Sequence, residues 1–318
     1  MNVTLAFDFG PAFVDRLRSS YPSATITPAY TTEEQLALAP EAEVQLGQIS
    51  QEVFVAAPKL KWFHFVGIGF DTILREVQEF AASGVVMTNA RGTHVIPMAE
   101  YAIGMMIALG HKFGRSMREQ QEHRWEVDSY KGSILELAGS TLGILAFGDI
   151  GRAVAERAGG FGMRIYAVDL YPGAAPDGVE AVWPMERLDE MLALSNWLVV
   201  TAPRTAESVD LIGAAQLRRM PKGAHVVVVS RGAIVNEADL VAALDEGHIG
   251  GAGLDATAEE PPDAHSPLWD HPGVILTPHV SAESAQLLQR RADIMHENLG
   301  RYIAGEPLRN MCDLEKGY

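Results

Sequence analysis

The stretch LGILAFGDIGRAVAERAGGFGMRIYAVD, residues 142–169, allows few folds. An apolar β-forming run enters a turn with glycine at 148 and 151, a helical pattern leaves it, and a second apolar run ends in Asp169. Strand, tight turn, helix and strand in about 30 residues make a βαβ unit, which joins parallel strands with a right-handed crossover. The turn also carries chemistry. In a dinucleotide-binding turn, G-x-G-x-x-G, the middle glycine lets backbone approach a pyrophosphate and the last lets helix pack on strand. Gly148 and Gly151 fill those roles, with Asp149 and Ile150 between them. Ala146 stands where the first glycine belongs, the smallest change available if φ there is negative. Asp169, 21 positions beyond Gly148, has the place of the acid that accepts hydrogen bonds from ribose hydroxyls and repels a 2′-phosphate. This predicts NAD, with NADH preferred over NADPH. A purely structural βαβ turn is the plainer alternative, and the placed acid weighs against it.

The rest of the chain repeats this alternation. Apolar β-rich runs at 2–9, 24–30, 43–47, 61–67 and 85–90 form one series. Runs at 141–148, 163–169, 196–203, 224–230, 251–257 and 273–280 form another. Short continuous apolar strands separated by helices read as parallel sheet buried on both faces. With 318 residues, too many for one small core, this gives two doubly wound α/β units. Between them, Pro97 suits a first helical position, and residues 98–109 are apolar nearly all round. A helix of that kind is buried on most faces, which predicts a strut between the domains. Residues 115–136 read as a polar, irregular arm on the surface or in a subunit interface. A last helix near 282–304 has no strand left to build and is expected to return to the first domain.

Composition removes other classes. A net charge of −16 with no basic block argues against a nucleic-acid partner. The opening MNVTLAFDFG reads as a first strand and not a signal peptide. The most apolar helical stretch, Tyr101 to Gly110, is about half the length of a membrane span, so no membrane partner is expected. A single cysteine, Cys312, precludes a disulfide within the chain and fits a cytoplasmic setting. No metal site is expected: His265 and His271 lie in a proline-rich loop and read as solvated.

Three ionisable residues stand at the ends of strands in the second series, where α/β sheets place ligands. Arg231 follows AHVVVVS, Glu260 follows the LDAT strand, and His279 closes GVILTPH. Taken singly, each has a bland reading as an ion-pair member, a loop carboxylate or a structural histidine.

Taken in order, the stretches FVGIGFD (65–71), NARGTHVIPMAEYAIGMM (89–106), the dinucleotide turn, VVVVSRGAIVNEADLVAAL (226–244), GGAGLDATAEEP (250–261) and SPLWDHPGVILTPHVSAES (266–284) resemble the D-isomer-specific 2-hydroxyacid dehydrogenases over nearly the full chain. The family's usual turn, G-L-G-x-I-G, is departed from at Ala146 and Phe147, and Arg91 replaces the proline of its N-x-P-G pattern. The resemblance implies a Rossmann-type NAD-binding domain, residues 97–282. It implies a discontinuous flavodoxin-like substrate domain as well, residues 1–96 and 283–318. It also implies a substrate cleft between the domains that closes on a hinge, and a homodimer.

By the same resemblance, Arg231, Glu260 and His279 match the family's catalytic Arg, Glu and His. Reduction of a 2-keto acid puts hydride on the carbonyl carbon and leaves an alkoxide that needs a proton. Imidazole titrates near neutrality, so His279 is suited to supply it, and Glu260 would hold the ring and favour its charged form. Arg231 offers a planar fork for the substrate carboxylate and keto oxygen. Backbone N–H groups at Val66 and Gly67 are expected to bind the same carboxylate. Leu46, Gly47, Val66 and Trp269 are expected to border the substrate, with core packing an equal reading for Trp269. The cofactor set implied is Gly148, Asp149, Ile150, Gly151, Asp169, Ala202, Pro203, Arg204, Ser230 and Asp255. Arg204 reads equally as a solvated charge, and Asp255 either contacts the nicotinamide carboxamide or caps a turn. Arg91 and His94 either face substrate or serve capping and surface roles. The expected activity is NAD-dependent interconversion of a small 2-keto acid, such as glyoxylate or hydroxypyruvate, and its D-2-hydroxy acid. The alternatives are an NAD-sensing corepressor-like binding protein and a formate- or phosphite-type dehydrogenase.

Overall fold

A computed structural model describes residues 1–314. The chain divides into two compact units, Met1–Thr93 with Ser284–Tyr318, and His94–Glu283.

In the first unit, strands β1 (Asn2–Ala6), β2 (Thr25–Pro28), β3 (Val44–Gly47), β4 (Trp62–Phe65) and β5 (Val86–Thr88) alternate with helices α1 (Pro11–Ser20), α2 (Thr32–Leu38), α3 (Gln51–Val55) and α4 (Asp71–Glu76). The sheet order is β2-β1-β3-β4-β5, parallel throughout. This is the flavodoxin-like 2-1-3-4-5 winding. Local chemistry sets the helix starts. The Thr31 side chain and Glu34 form a reciprocal capping box on α2, and Ser50 caps α3. Two apolar clusters fill the faces of the sheet, one of them around Leu5, Leu17, Leu46 and Trp62. The last helix, which starts later than the sequence pattern suggests, docks Ala292, Met295 and Leu299 into that cluster.

In the second unit, α5 (Val95–Gly110) and α6 (Phe113–Gln121) lead into β6 (Thr141–Leu145), α7 (Asp149–Gly159), β7 (Arg164–Val168), β8 (Ala181–Trp183), α8 (Leu188–Leu194), β9 (Trp197–Val200), α9 (Ala214–Arg219), β10 (Ala224–Val228), α10 (Glu237–Asp245), β11 (Ile249–Leu254) and β12 (Val274–Leu276). α11 (Leu287–Ala304), the helix that closes the first unit, then follows. The seven strands run β12-β11-β10-β9-β6-β7-β8, all parallel. Counted from β6 as the first strand, this is the 3-2-1-4-5-6 Rossmann order with one strand added. The chain is thus α/β, with two parallel, doubly wound sheets.

Three details depart from the sequence reading. β8 is a strand the pattern did not reveal, because three partly buried residues on an edge carry little periodicity. Pro97 is the third residue of α5 and not the first, still within the turn whose N–H groups have no helical acceptor. Residues 113–121 form α6 and are not irregular: Arg115 and Glu119, one turn apart, pair at 2.8 Å on its face. α5 buries Met98, Ala99, Ala102, Ile103, Met105, Met106 and Leu109 within the second unit, against α7, β10 and β11.

Candidate active site

The βαβ turn of β6, α7 and β7 is built around two glycines with different duties. At Gly151 an added Cβ would lie 2.5 Å from the Ala146 carbonyl oxygen and 3.2 Å from Ile144, so only glycine lets α7 settle on β6. At Gly148 an added Cβ would meet nothing within 4 Å, leaving open space before the N-terminus of α7. N–H groups of that first helical turn have no helical acceptor and face an anion favourably. Asp149 opens α7, and Ile150 packs partly buried against the core behind it. The Asp169 carboxylate accepts from the Phe147 N–H at 2.6 Å and the Tyr171 N–H at 2.8 Å, which fixes it at the end of β7. These residues fit a dinucleotide: a glycine-lined space, a helix N-terminus facing it and a pinned acid.

Ala146 overturns one expectation. Its φ is +70°, in the left-handed region, so alanine here is not a neutral replacement. The conformation is enforced because the Ala146 N–H is bonded to Val168 at 2.8 Å and its carbonyl accepts from Thr201 Oγ1 at 2.7 Å.

The other cofactor candidates occupy loops after β9, β10 and β11. Ala202 is buried, while Pro203 and Arg204 are exposed. Ser230 is buried and donates to the Val200 carbonyl at 3.2 Å. Asp255 is only 2% exposed, and its carboxylate is spent on the chain that carries His279. Its Oδ1 accepts from Thr277 Oγ1 at 2.7 Å and the Val280 N–H at 2.9 Å, and its Oδ2 accepts from the Ser281 N–H at 2.8 Å. The Tyr101 hydroxyl meets Thr277 Oγ1 from α5, and burial pushes the Tyr101 phenol up to about 12.

The Asp255 clamp holds His279 in an unusual backbone state, with φ +52°. Such a conformation costs about 1–2 kcal/mol for a residue with a Cβ. It turns the imidazole to Glu260, whose two carboxylate oxygens lie 3.0 and 2.9 Å from His279 Nδ1. Glu260 Oε1 also accepts from the Thr257 N–H at 3.2 Å. A carboxylate can only accept, so Nδ1 carries a hydrogen and donates it, leaving Nε2 to exchange a proton with a ligand. Arg231 belongs to the same cluster of loops. At Gly232 an added Cβ would fall 1.9 Å from the Thr257 carbonyl carbon, so Gly232 alone lets the Arg231 loop pack against the loop bearing Glu260. Arg231 Nη1 donates to the Ser230 carbonyl at 2.9 Å.

The substrate-border residues fare differently. The Val66 N–H donates to the Gly47 carbonyl at 3.0 Å, because the β3–β4 ladder continues one residue beyond the strand, so it is not open to a ligand. Gly67 N–H remains. Leu46 is 0% exposed and points into the core of the first unit, so the pleat removes it from any border. Gly47 follows at φ +122°, where a Cβ would overlap Ala6. Trp269 is 52% exposed and donates through Nε1 to the Asp263 carbonyl at 3.0 Å, which excludes core packing. Arg91 is exposed and His94 buried. Among the described residues no group of three metal-ligating side chains forms, and no helix is long and apolar enough to cross a membrane.

The family model for the D-isomer specific 2-hydroxyacid dehydrogenase NAD binding domain matches residues 103–281, most of the second unit. The chain belongs to this family. It is 37% identical over 272 residues to a glyoxylate reductase of Korarchaeum cryptofilum, covering 84% of this chain and 80% of that one. It is 31% identical to a D-3-phosphoglycerate dehydrogenase of Archaeoglobus fulgidus, over 99% of this chain but only 59% of the relative's length. Its fold superposes with a TM-score of 0.84 on a D-isomer specific 2-hydroxyacid dehydrogenase of Xanthobacter autotrophicus crystallised with NADPH and MES, at 28% identity and 100% and 99% coverage. The glycine turn, Arg231, Glu260 and His279 all fall within the matched residues 103–281. Tyr101, Thr277, Thr257 and Gly232 escaped the sequence reading, since their roles depend on contacts between segments far apart in the chain.

Proposed function

We propose that this protein is an NAD-dependent dehydrogenase that interconverts a small 2-keto acid and a D-2-hydroxy acid. The observation that carries the reading is the Glu260–His279 pair, held at a strand end of an NAD-binding domain with Arg231 on the neighbouring loop. A bound nicotinamide supplies or accepts the hydride. The chain's own residues do the rest. Arg231 binds and orients the carboxylate and keto oxygen, and His279 Nε2 hands a proton to the developing alkoxide. Glu260 fixes the tautomer and stabilises the imidazolium that forms in the reverse direction. Trp269, exposed on the loop before β12, borders the substrate.

Asp169 supports NADH over NADPH: its oxygens accept from two backbone N–H groups and would meet a 2′-phosphate as like charge. Gly148 to Gly151 hold the pyrophosphate, and Ala202, Pro203, Arg204 and Ser230 line the cofactor beyond it. The preferred substrate is glyoxylate or hydroxypyruvate, in keeping with a glyoxylate reductase among the relatives. The D configuration follows the family. We also propose a homodimer, since Trp125 is 92% exposed, with Met117 and Val127 exposed on the same segment. A cytoplasmic location would provide the NADH. The test is kcat/KM for glyoxylate, hydroxypyruvate and phosphorylated hydroxypyruvate with NADH and with NADPH, the product resolved by chiral chromatography and formate offered as an alternative hydride donor. NADH-dependent formation of a D-2-hydroxy acid supports the reading. Hydride from formate, the L product, or no turnover of any keto acid refutes it.

A further inference from the structure

A cavity of about 40 Å³ lies at the amino-terminal edge of the second sheet, the end opposite the loops that carry Arg231, Glu260 and His279. Its walls include His225 at the start of β10, Lys112 just after α5, Arg115 on α6, Gly250 on β11 and Gly273 before β12. His225 is 2% exposed, and neither ring nitrogen makes a well-formed hydrogen bond among the described residues, with only a loose approach to the Gly223 carbonyl. The ring cannot swing away to find one. It stacks on Trp197 at 4.6 Å, and a Cβ at Gly250 or Gly251 would come within 2.8 or 2.9 Å of it. A neutral imidazole keeps one N–H to donate and one lone pair to fill, so this arrangement calls for a polar occupant.

The sign of that occupant follows from the charges. Arg115 is already compensated: Nε bonds Glu119 at 2.8 Å, Nη2 bonds Ser129 Oγ at 2.5 Å, and the guanidinium lies over the Tyr130 ring. Glu119 is spent on Arg115 and on the Tyr130 hydroxyl at 2.6 Å. Nearby, Arg118 donates to the Pro272 carbonyl, and His271 faces Asp245 at 3.5 Å. Lys112 enters no ion pair among the described residues, and burial pulls its ammonium below the usual lysine range. The ionisable residues on the walls are all bases. Lys112 is only partly buried and keeps some of its water, but with bases alone on the walls an anion suits the cavity better than a neutral occupant. The volume holds about three water-sized spheres, far short of a nucleotide or sugar.

We propose that this cavity binds a small inorganic monoanion of chloride size, held by the Lys112 ammonium and the His225 N–H. The site is separate from the catalytic loops and ties the end of α5 to the edge of the sheet. The test melts the full-length protein in sodium chloride against sodium gluconate at equal ionic strength, gluconate being too large to enter. A saturable rise in Tm with chloride is expected. Lys112→Met should abolish it or weaken the apparent affinity about tenfold or more, the usual effect of losing a charged hydrogen-bond partner. Lys112→Arg should retain it, and His225→Phe should lose it. In crystals grown in sodium bromide, an anomalous peak should lie within hydrogen-bonding distance of Lys112 Nζ and a His225 ring nitrogen. Turnover of the Lys112→Met protein should match wild type. Equal melting in both salts, an undiminished chloride effect in Lys112→Met, or a bromide-free cavity overturns the proposal.

Discussion

Replacing Ala146 with glycine restores the full glycine pattern of the dinucleotide turn, and it should stabilise the protein. The native φ of +70° costs an alanine about 1–2 kcal/mol relative to glycine in the folded state. Glycine gives back about 0.4–1 kcal/mol through the greater freedom of its unfolded chain. The strain relief wins by about 0.5–1 kcal/mol. The backbone has no easier conformation to relax into, because the Ala146 N–H and carbonyl are both bonded, to Val168 and Thr201. Over a unit of this size the gain corresponds to a rise of about 1–4 °C in Tm. The assay is urea unfolding of the cofactor-free protein followed by fluorescence, with melting in parallel. A higher midpoint at unchanged slope is expected. A variant less stable than wild type would refute the reasoning, since it would mean that the turn does not hold Ala146 in the left-handed region.

Three further outcomes follow from the site and the core. Asp255→Asn places an amide N–H₂ against the Ser281 or Val280 N–H, so the His279 loop should loosen; kcat should fall about tenfold or more while the Kd of NADH, measured by fluorescence, stays within about twofold. A lost NADH affinity with normal kcat would instead mark Asp255 as a cofactor contact. Gly232→Ala pushes a methyl into the Thr257 carbonyl and should cut kcat while the protein remains folded by circular dichroism; unchanged kinetics would show that the two loops are not in register. His64 and His225 are buried and neutral, with burial pulling them down to about 3 and about 4, below the unfolded value near 6.5. Between those values the unfolded state binds the extra protons. Stability is therefore full above about pH 6.5 and falls by about 1.4 kcal/mol per histidine for each pH unit below it; equal urea midpoints at pH 7 and pH 5 would contradict this.

The winding of both sheets was legible because a strand buried on both faces must be apolar along its whole length, as in AHVVVVS and NWLVVTAP. The pairing of Glu260 with His279 was legible for a related reason: ionisable residues that close such runs gather at the same, carboxyl, end of the sheet. What stayed hidden depends on hydrogen bonds that no periodicity records. VGIG suggests two open N–H groups, yet one is taken by the Gly47 carbonyl across the ladder. Leu46 lies beside a glycine, and only the pleat decides that it faces the core. Ala146 has a small side chain whichever sign φ takes, so the strain it bears is invisible in the sequence. The Tyr101–Thr277–Asp255 chain joins a helix to two strand ends and forms only when the second unit is folded.

The central claim is that His279, oriented by Glu260, exchanges the proton with substrate, and its most direct measurement is the turnover of His279→Ala. NADH oxidation with the best 2-keto acid should be followed at saturating substrate, alongside the Kd of NADH for the same variant. A positioned acid is worth about 10²–10⁴-fold. The account predicts a loss of kcat in that range with NADH affinity unchanged. A His279→Ala protein that retains near wild-type kcat would contradict it.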